Sequence, residues 1–442
     1  MNNWEKQNLD NVADIKLSNV DKKSNLNERV VRLCNYTDVY KNSFITLEKA
    51  KAFMVGSCSE NEFENFKLQK GQVAITKDSE TRDDIGVSTY ISEDLDEVVL
   101  GYHTSLITPD ESKLNGGFLH YWLNTKQAKR YFENNAGGSG QRCTLTLDTI
   151  KSIPLYLPEL EYQQKIASVL SALDAKIELN NRINAELEAM AKTIYDYWFV
   201  QFDFPDENGK PYKSSGGKMV WSEELKREVP EGWEVKSLAN WIKTDKSGDW
   251  GKDIPEGNYT ERVFCIRGAD INGLNGKGEI KAPERFILEK NLTKILEPND
   301  LVIEISGGSP TQSTGRLAYI MCETLKRFDA PIICSNFCKS ISLKYAKSIF
   351  NFAFEWNAAY NNGILFGYEG KTSGIKNLLF ESFVNSYRSA VPPKNLMDRF
   401  YELLSPLENR KQKGLLENQH LASLRDWLLP MLMNGQVKVT GP

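Results

Sequence analysis

The residue types that most often carry catalysis or bind metals are sparse and widely spaced in this sequence. None of the three histidines, His103, His120 and His420, has a second ligand at metal-binding spacing. Cys334 and Cys338 lie four residues apart, but no second pair completes a zinc site. The seven cysteines form no disulfide framework, which is typical of a reducing compartment. We therefore expect no metal site and interpret the histidines as structural or surface residues.

One short segment resembles the end of a phosphate-binding loop. It is Gly370-Lys371-Thr372, and such a loop requires another glycine five residues before Gly370. That position is Leu365, and no apolar strand leads into the segment. We therefore reject a nucleotide-binding loop here.

The composition predicts a soluble globular protein with more than one domain. A chain of 442 residues exceeds the size of one ordinary core. Its 40% hydrophobic and 26% charged residues lie outside the disordered range. We find no apolar run long enough to cross a bilayer and no signal-peptide core at the N-terminus, so we expect a cytoplasmic protein with no membrane partner. The net charge of −4 does not by itself indicate nucleic-acid binding.

The second half of the chain repeats the first. Trp4-Glu5 recurs as Trp233-Glu234, and each pair is followed by a leucine at the same spacing. The other matching segments predict strands that lead into turns or polar loops. They are residues 33–39 with 265–271, 68–75 with 296–303, and 86–91 with 315–320.

Each half ends in a long helix that begins after prolines, at positions 154 and 158 in the first half and 392 and 393 in the second. The spacing of apolar residues predicts helices over about 159–199 and 394–433. Gly414 interrupts the second pattern. The first helix has a coiled-coil seam with two polar interruptions, Asn180 and Asn184. The apolar faces of these helices are too long for one domain to cover. We therefore expect the helices to pair antiparallel and hold the two domains a fixed distance apart.

A connector rich in Gly, Pro and Ser joins the halves, and its aromatics Phe202, Phe204, Tyr212 and Trp221 predict that it is held against a surface. The fold class is therefore α+β, with two repeated α/β domains separated by two long helices that form an antiparallel coiled coil. The predicted boundaries are a first domain at 1–157, a first helix at 158–200, a connector at 201–231, a second domain at 232–391, and a second helix with its tail at 392–442.

Three segments resemble the specificity subunit of type I restriction-modification enzymes, and the resemblance covers the whole chain. The most specific is the central stretch 197–233, with Tyr-Trp-Phe, Phe-Asp-Phe-Pro, Asn-Gly-Lys-Pro-Tyr and Pro-Glu-Gly-Trp in order. The others are residues 157–166, which contain Gln163-Gln164, and residues 428–435. The second half departs from the pattern because Lys394-Asn395 follow its prolines where Gln-Gln is expected. The two partner contacts therefore need not be equivalent.

The resemblance implies a non-catalytic, DNA-binding subunit of a bacterial defence system. Its two target-recognition domains would each read one half of a split site on double-stranded DNA. The helices would set the unread gap and dock two methyltransferase subunits, and motor-nuclease subunits would join the assembly. The complex would then methylate adenine or cleave the DNA. The resemblance implies no cofactor for this chain, because S-adenosylmethionine belongs to the methyltransferase, and ATP and Mg²⁺ belong to the motor.

The resemblance also places two polar loops of each domain against DNA, at 76–84 and 137–142 and at the matching 306–316 and 367–374. Arginine pairs with guanine and glutamine with adenine, whereas Gly, Ser, Thr and Lys suit phosphates. We therefore expect the base readers to be Gln141, Arg142, Gln312 and Arg316. Expected phosphate or base contacts are Lys77, Arg82 and Lys371. Further candidates are Asn35, Tyr36, Ser79, Thr81, Arg267, Asn272, Ser309 and Thr372. The acidic residues of the first loop, Asp78, Glu80, Asp83 and Asp84, are expected to point away or to pair with Lys77 and Arg82.

Three alternatives compete with the resemblance, namely an enzyme, a specificity subunit of a different system, and a coiled-coil scaffold. An amino-methyltransferase would need an Asn/Asp-Pro-Pro-aromatic motif, but the only Pro-Pro pair is followed by Lys394. A nuclease would need clustered carboxylates with a lysine, and we find no convincing set. A specificity subunit of a type II-like system with a separate recognition chain would have the same design. A coiled-coil scaffold without a DNA role would not need the doubled polar loops.

Overall fold

The computed structural model describes residues 4–138, 142–307, 311–372 and 375–439. The chain divides into two compact units, Met1–Lys176 with Leu421–Pro442 (unit 1) and Ile177–His420 (unit 2). Two long helices, Leu160–Tyr195 and Lys394–Met433, contribute residues to both. Within the described ranges, no helix combines the length and the apolar character that a membrane span requires.

Unit 1 contains short strands, short helices and segments of both long helices. Its strands are β1 (Glu5–Asn8), β2 (Ala13–Leu17), β3 (Arg29–Cys34), β4 (Phe44–Ile45), β5 (Met54–Cys58), β6 (Val73–Thr76), β7 (Asp78–Ser79), β8 (Ser88–Ile91), β9 (Val98–Leu100), β10 (Thr104–Pro109), β11 (Cys143–Thr144) and β12 (Pro154–Leu157). Its helices are α1 (Tyr36–Lys41), α2 (Leu47–Ala50), α3 (Glu60–Phe66), α4 (Gly116–Leu123), α5 (Lys126–Asn135), α6 (Leu147–Lys151) and the first part of α7 (Leu160–Tyr195).

Two sheets form the centre of unit 1. The larger has the strand order β2-β10-β6-β8-β4, and the smaller has the order β5-β3-β9. Every residue of β6 is buried, which explains why this strand is a continuous apolar run rather than an alternating one. Its neighbour β8 pairs antiparallel with it, and Val73 lies opposite Tyr90. β1 pairs with β12 and so brings the two ends of the domain together.

Unit 2 contains the remaining elements. Its strands are β13 (Met219–Ser222), β14 (Arg227–Pro230), β15 (Glu234–Ser237), β16 (Ile242–Ser247), β17 (Tyr259–Ile266), β18 (Glu284–Leu288), β19 (Leu301–Glu304), β20 (Ser306–Gly307), β21 (Leu317–Tyr319), β22 (Ile332–Cys334), β23 (Cys338–Leu343), β24 (Glu369–Thr372), β25 (Ile375–Leu378) and β26 (Arg388–Val391). Its helices are α8 (Ile271–Leu274), α9 (Cys322–Leu325), α10 (Ile349–Asn361), α11 (Phe380–Ser386) and most of α12 (Lys394–Met433).

The internal repeat predicted from the sequence is confirmed in the sheet topology. Unit 2 has a sheet of order β16-β23-β19-β21 and a second of order β18-β17-β22. These match the strand orders in unit 1, except that the edge strand β4 has no counterpart in unit 2. The register also repeats, since Leu301 lies opposite Tyr319 as Val73 lies opposite Tyr90. β15 pairs with β26 as β1 pairs with β12. The α+β fold class is therefore confirmed.

The long helices lie against each other within unit 1, where early residues of α7 meet late residues of α12. Arg425 donates from Nη1 to Oδ1 of Asp174 at 2.7 Å. The hydroxyl of Tyr121 donates to the other oxygen of Asp174, also at 2.7 Å. Ile166 and Leu170 are buried in the same core as Leu432 and Met433. The hydrogen bonds of Asp174 and this shared apolar core therefore hold the globular part of unit 1 against its segments of the long helices.

Within unit 2, the later part of α7 pairs antiparallel with α12 through its two predicted seam asparagines. Asn180 is 1% exposed and donates from Nδ2 to Glu417 and Asn418 at 2.8 and 2.9 Å. Asn184 faces Gly414, where an added Cβ would lie only 3.0 Å from the Asn184 Oδ1 atom. The helix continues through Gly414, so the interruption in its apolar pattern is explained by close approach to Asn184.

The connector packs through three of its four aromatics. Phe202 and Phe204 are buried, and Phe204 stacks on Tyr212 and Trp233 with ring centroids 4.7 and 5.4 Å apart. The prediction is wrong for Trp221, which is 55% exposed on the β13–β14 hairpin. α7 ends at Tyr195, earlier than predicted, and one π-helical turn, Asp196–Val200, leads into the connector.

Candidate nucleic-acid interface

An open cleft of about 390 Å³ lies in unit 1 where the first polar loop meets the turn after β3. Four of the residues predicted from the sequence line it, namely Tyr36, Ser79, Thr81 and Arg142. The other lining residues are Tyr40, Asp78, Glu80, Asp84 and His103. The structure therefore brings together side chains from four separate parts of the chain.

The turn after β3 is held by Asn35, which is itself buried. The backbone N–H of Asn35 donates to the Asp38 carboxylate at 2.8 Å, as in an N-terminal capping box. Its side-chain Nδ2 donates to the carbonyl of Leu33 at 3.3 Å. Asn35 thus positions helix α1, and that helix presents Tyr36 and Tyr40 as a stacked pair with ring centroids 5.9 Å apart.

Asp78 is the electrostatic centre of the cleft. Its carboxylate contacts His103 Nδ1 at 2.6 Å, accepts from the Thr144 hydroxyl at 2.7 Å and lies 3.4 Å from Lys77 Nζ. Burial alone would raise the pKa of Asp78, but the hydrogen bonds from His103 and Thr144 and the charge of Lys77 outweigh it and lower the pKa. Lys77 therefore pairs with an acidic residue of its own loop, as expected.

The other acidic residues do not simply point away from this surface. Asp84 and Glu80 line the cleft, and the Tyr40 hydroxyl donates to Asp84 Oδ2 at 2.9 Å. That hydrogen bond raises the pKa of Tyr40. The cleft therefore presents acceptors and aromatic rings as well as Arg142, and acceptors suit the amino groups of cytosine and adenine.

The second polar loop of unit 1 carries Arg142 at its end. Gly137 and Thr144 close the loop through two backbone hydrogen bonds of 3.0 and 2.8 Å. At Gly138, which has a φ of +143°, a Cβ would lie 2.3 Å from the Arg142 carbonyl oxygen, so only glycine fits. Arg142 is exposed, as are Thr81 and Arg82 of the first loop. Gln141 lies outside the described residues.

In unit 2, Arg267 is engaged by the protein itself. Its guanidinium donates to the buried carboxylate of Asp270 at 2.8 and 3.1 Å and to the carbonyl of Lys281 at 2.6 Å. Burial would raise the pKa of Asp270, but hydrogen bonds from Arg267 and Lys281 lower it. Asn272 is half-buried in the helix that follows. Arg267 therefore stabilises the turn after β17, and a DNA contact from it stays a prediction.

Arg316 is similarly paired at the end of the first polar loop of unit 2. It forms hydrogen bonds of 2.9 and 2.6 Å with Glu304, which is 2% exposed. Gly268 and Gly307 both pack against this carboxylate, since an added Cβ would lie 2.6 and 2.9 Å from its Oε1. A bidentate pair of this kind occupies the donors that would otherwise face guanine. A base-reading role for Arg316 stays a prediction.

The remaining candidates of unit 2 lie on or beside the β24–β25 hairpin. Gln312 is exposed, and its carbonyl lies 3.5 Å from the Nζ of Lys376. Lys376 also pairs with Glu369 at 3.0 Å, and Glu369 accepts from the backbone of Thr314 at 2.8 Å. The backbones of Lys371 and Thr372 belong to β24. Ser309 lies outside the described residues.

Sequence reasoning missed Tyr40 and His103. The spacing of Tyr36 and Tyr40, four residues apart, could have indicated a shared helix face. His103 offered no such signal, because its partner Asp78 is brought close only by the pairing of β6 with β10.

Comparison with known proteins finds similarity to one family of DNA-recognition proteins. Residues 1–189 match the family model described as type I restriction modification DNA specificity domain. The HindI specificity subunit of Haemophilus influenzae is 24% identical over 482 aligned positions, which cover 99% of this chain and 100% of that protein. This chain is therefore similar along its whole length to a type I specificity subunit. The MjaIX specificity subunit of Methanocaldococcus jannaschii is 26% identical over 73% of this chain and 69% of its own length.

A solved specificity subunit agrees in fold. The crystal structure of the type I restriction-modification S subunit from M. genitalium has a TM-score of 0.56 at 15% identity, and the alignment covers 97% of this chain and 96% of that one. These similarities support a role for this chain in DNA sequence specificity.

Proposed function

We propose that this chain is a type I specificity subunit that reads a bipartite target on double-stranded DNA, with one half-site recognised by each unit. The observation that carries the proposal is the repetition of sheet order and register in the two units. A protein with two equivalent DNA-reading surfaces is expected to bind a DNA site that has two half-sites. The helices α7 and α12 would set the unread gap between the half-sites.

Within each unit, the reading surface is the group of polar loops beside the central sheet. In unit 1, Arg142 would read a base, while the exposed Arg82 would neutralise a phosphate. In unit 2, Gln312 is the exposed candidate for reading a base. Arg267 and Arg316 would chiefly shape the loops, because buried carboxylates occupy their donors. The cleft of unit 1 favours a base that donates an amino hydrogen, because Asp78, Glu80 and Asp84 line it.

The chain would act without catalysis or cofactors of its own. Two methyltransferase subunits and the motor-nuclease subunits would supply the chemistry, and the specificity subunit would direct them to methylate adenine or cleave DNA. The complex-forming surfaces would include the paired helices, whose exposed apolar residues include Leu424 and Trp427. A type II-like system with a separate recognition chain is the second candidate, since it would use the same fold.

The test is to express the chain with its cognate methyltransferase subunit in a host that lacks adenine methylation. Sequencing the genome for methyladenine should then show one split motif with a fixed unread gap. Omitting the chain while keeping the methyltransferase is the control, and it should abolish the motif. A continuous motif, or the same motif without the chain, would contradict the proposal. Adding the motor-nuclease subunit distinguishes the two candidates, since only a type I complex would cleave in an ATP-dependent way.

A further inference from the structure

Each unit has a turn, at an equivalent position, that does not belong to the predicted reading loops. It joins β9 to β10 in unit 1 and β22 to β23 in unit 2. Thr104 pairs with Thr76 as Cys338 pairs with Glu304, so the residue before each pair is also equivalent. Those residues are His103 and Phe337.

The backbone of each turn is tied to both predicted reading loops through one residue. In unit 1, the Lys77 N–H donates to the His103 carbonyl at 3.0 Å, and the Lys77 carbonyl accepts from the Leu145 N–H at 2.7 Å. In unit 2, Ile305 forms the same two bonds, with Phe337 at 2.9 Å and with Leu378 at 2.9 Å. The turn therefore lies beside the start of the first loop and the strand that follows the second.

Phe337 is exposed and His103 is half-buried, although the strands on either side of these turns are mostly buried. Phe337 is 49% exposed, and the side chain of His103 is 28% exposed where it lines the 390 Å³ cleft. His103 has a φ of +73°, which is uncommon for residues other than glycine, although Asn, Asp and His adopt it more often than the rest. Phe337 occupies the position in unit 2 that the cleft-lining His103 occupies in unit 1, and its exposed ring is available for a contact with a ligand.

We propose that His103 and Phe337 are specificity-determining residues, each making a base contact in the half-site of its own unit. This inference rests on the proposed reading of DNA by both units. It adds the turn that carries His103 or Phe337 as a third reading element of each unit. Because Nδ1 of His103 faces Asp78 at 2.6 Å, Nε2 is the ring nitrogen left for a base edge. Phe337 has no polar atom, so its contact is apolar and suits the methyl group of thymine.

The experiment compares base preferences of the assembled chain–methyltransferase complex on a randomised DNA library. His103→Asn retains a donor towards Asp78 and tolerates the positive φ, but it lacks an atom equivalent to Nε2. Phe337→Ala removes only an exposed ring. We expect each variant to lose discrimination at one position of one half-site by about 5- to 150-fold, in different halves for the two variants. Trp221→Ala, an exposed aromatic on the β13–β14 hairpin, is the control and should keep the wild-type preference.

The outcomes separate this inference from the proposed function. Unchanged preferences in both variants, with a wild-type complex that reads a split motif, would overturn the inference and leave the proposed function standing. A wild-type complex with no split motif would overturn both. A uniform loss of affinity at every position would also overturn the inference, because that result indicates a phosphate contact or a loss of folding rather than base reading.

Discussion

The guanidinium of Arg316 forms two hydrogen bonds, of 2.9 and 2.6 Å, with the buried carboxylate of Glu304. Glu304 ends strand β19, and Arg316 lies just before β21, so the pair closes the base of a polar loop in unit 2. The sequence places both residues near this loop but gives no sign that they pair. Arg316 is predicted from the sequence to read a base. Because it pairs with Glu304, we expect its removal to affect the structure of the loop first.

We expect Arg316→Ala to lower the free energy of unfolding of unit 2 by about 3 kcal/mol, because it leaves the Glu304 carboxylate buried without its partner. Urea denaturation followed by tryptophan fluorescence measures the change. The double variant Arg316→Ala with Glu304→Gln should recover part of the loss, since no unpaired charge remains. Unchanged stability together with altered base preference at one position would contradict this account and favour direct reading by Arg316.

His120 predicts a pH dependence of stability in unit 1. It is buried, with its Nδ1 atom 3.0 Å from the Ser88 hydroxyl, and burial together with the charge of Arg425 lowers the pKa of its imidazole to about 3. The folded state therefore disfavours the protonated ring, whereas the unfolded chain protonates it near pH 6.5. The stability that the neutral ring contributes is full above pH 6.5 and decreases as the pH falls from there towards 3, by up to about 1.4 kcal/mol per pH unit.

Urea denaturation at several pH values between 7.5 and about 4.5 tests this dependence. The His120→Gln variant removes the titrating ring, so its stability should fall less steeply with decreasing pH than that of the wild type. The exposed His420 supplies a matched control, and His420→Gln should keep the wild-type slope. Parallel curves for the wild type and His120→Gln would disprove the assignment.

Gly414 and Asn184 should be energetically coupled. Alanine is favoured over glycine in a helix by about 1 kcal/mol, but a Cβ at position 414 would lie 3.0 Å from Asn184 Oδ1. In the Asn184→Ala background, Gly414→Ala should therefore stabilise unit 2 by about 1 kcal/mol. In the wild-type background the gain should be clearly smaller or reversed. A double-mutant cycle measures the coupling, and strictly additive effects would show that the two residues do not restrict each other.

Arg142 and Arg82 should affect DNA binding in different ways. Arg142→Ala should cost about 1–3 kcal/mol at the cognate site and relax the preference at one base position. Arg82→Ala should weaken binding to all sequences alike and reduce the slope of log affinity against log salt concentration by about 0.9. Salt titrations of the chain–methyltransferase complex on cognate and altered duplexes separate the two effects. Arg130→Ala, an exposed arginine on α5, is the control, and an equal effect from it would argue against a localised interface.

The sequence was most informative where periodicity determines structure. The heptad positions of α7 predict that Asn180 and Asn184 lie in the seam, because residues at that spacing share one face of a helix, and both asparagines are buried. The strands β6 and β19 were also predictable, since each is an apolar run after a polar turn. Local spacing cannot predict partners that meet through sheet pairing. That is why the contacts of His103 with Asp78 and of Arg316 with Glu304 became visible only in the fold.

The central claim is that each unit reads its own half of the target, and exchanging one unit's reading domain tests it most directly. Residues 1–157 are replaced by the equivalent domain of a type I specificity subunit whose target is known. The hybrid is expressed with the cognate methyltransferase in a methylation-free host. Sequencing for methyladenine should show a motif in which one half has changed to that of the donor, while the other half and the gap length stay the same. A motif changed in both halves, or one that keeps both original halves, would contradict the claim.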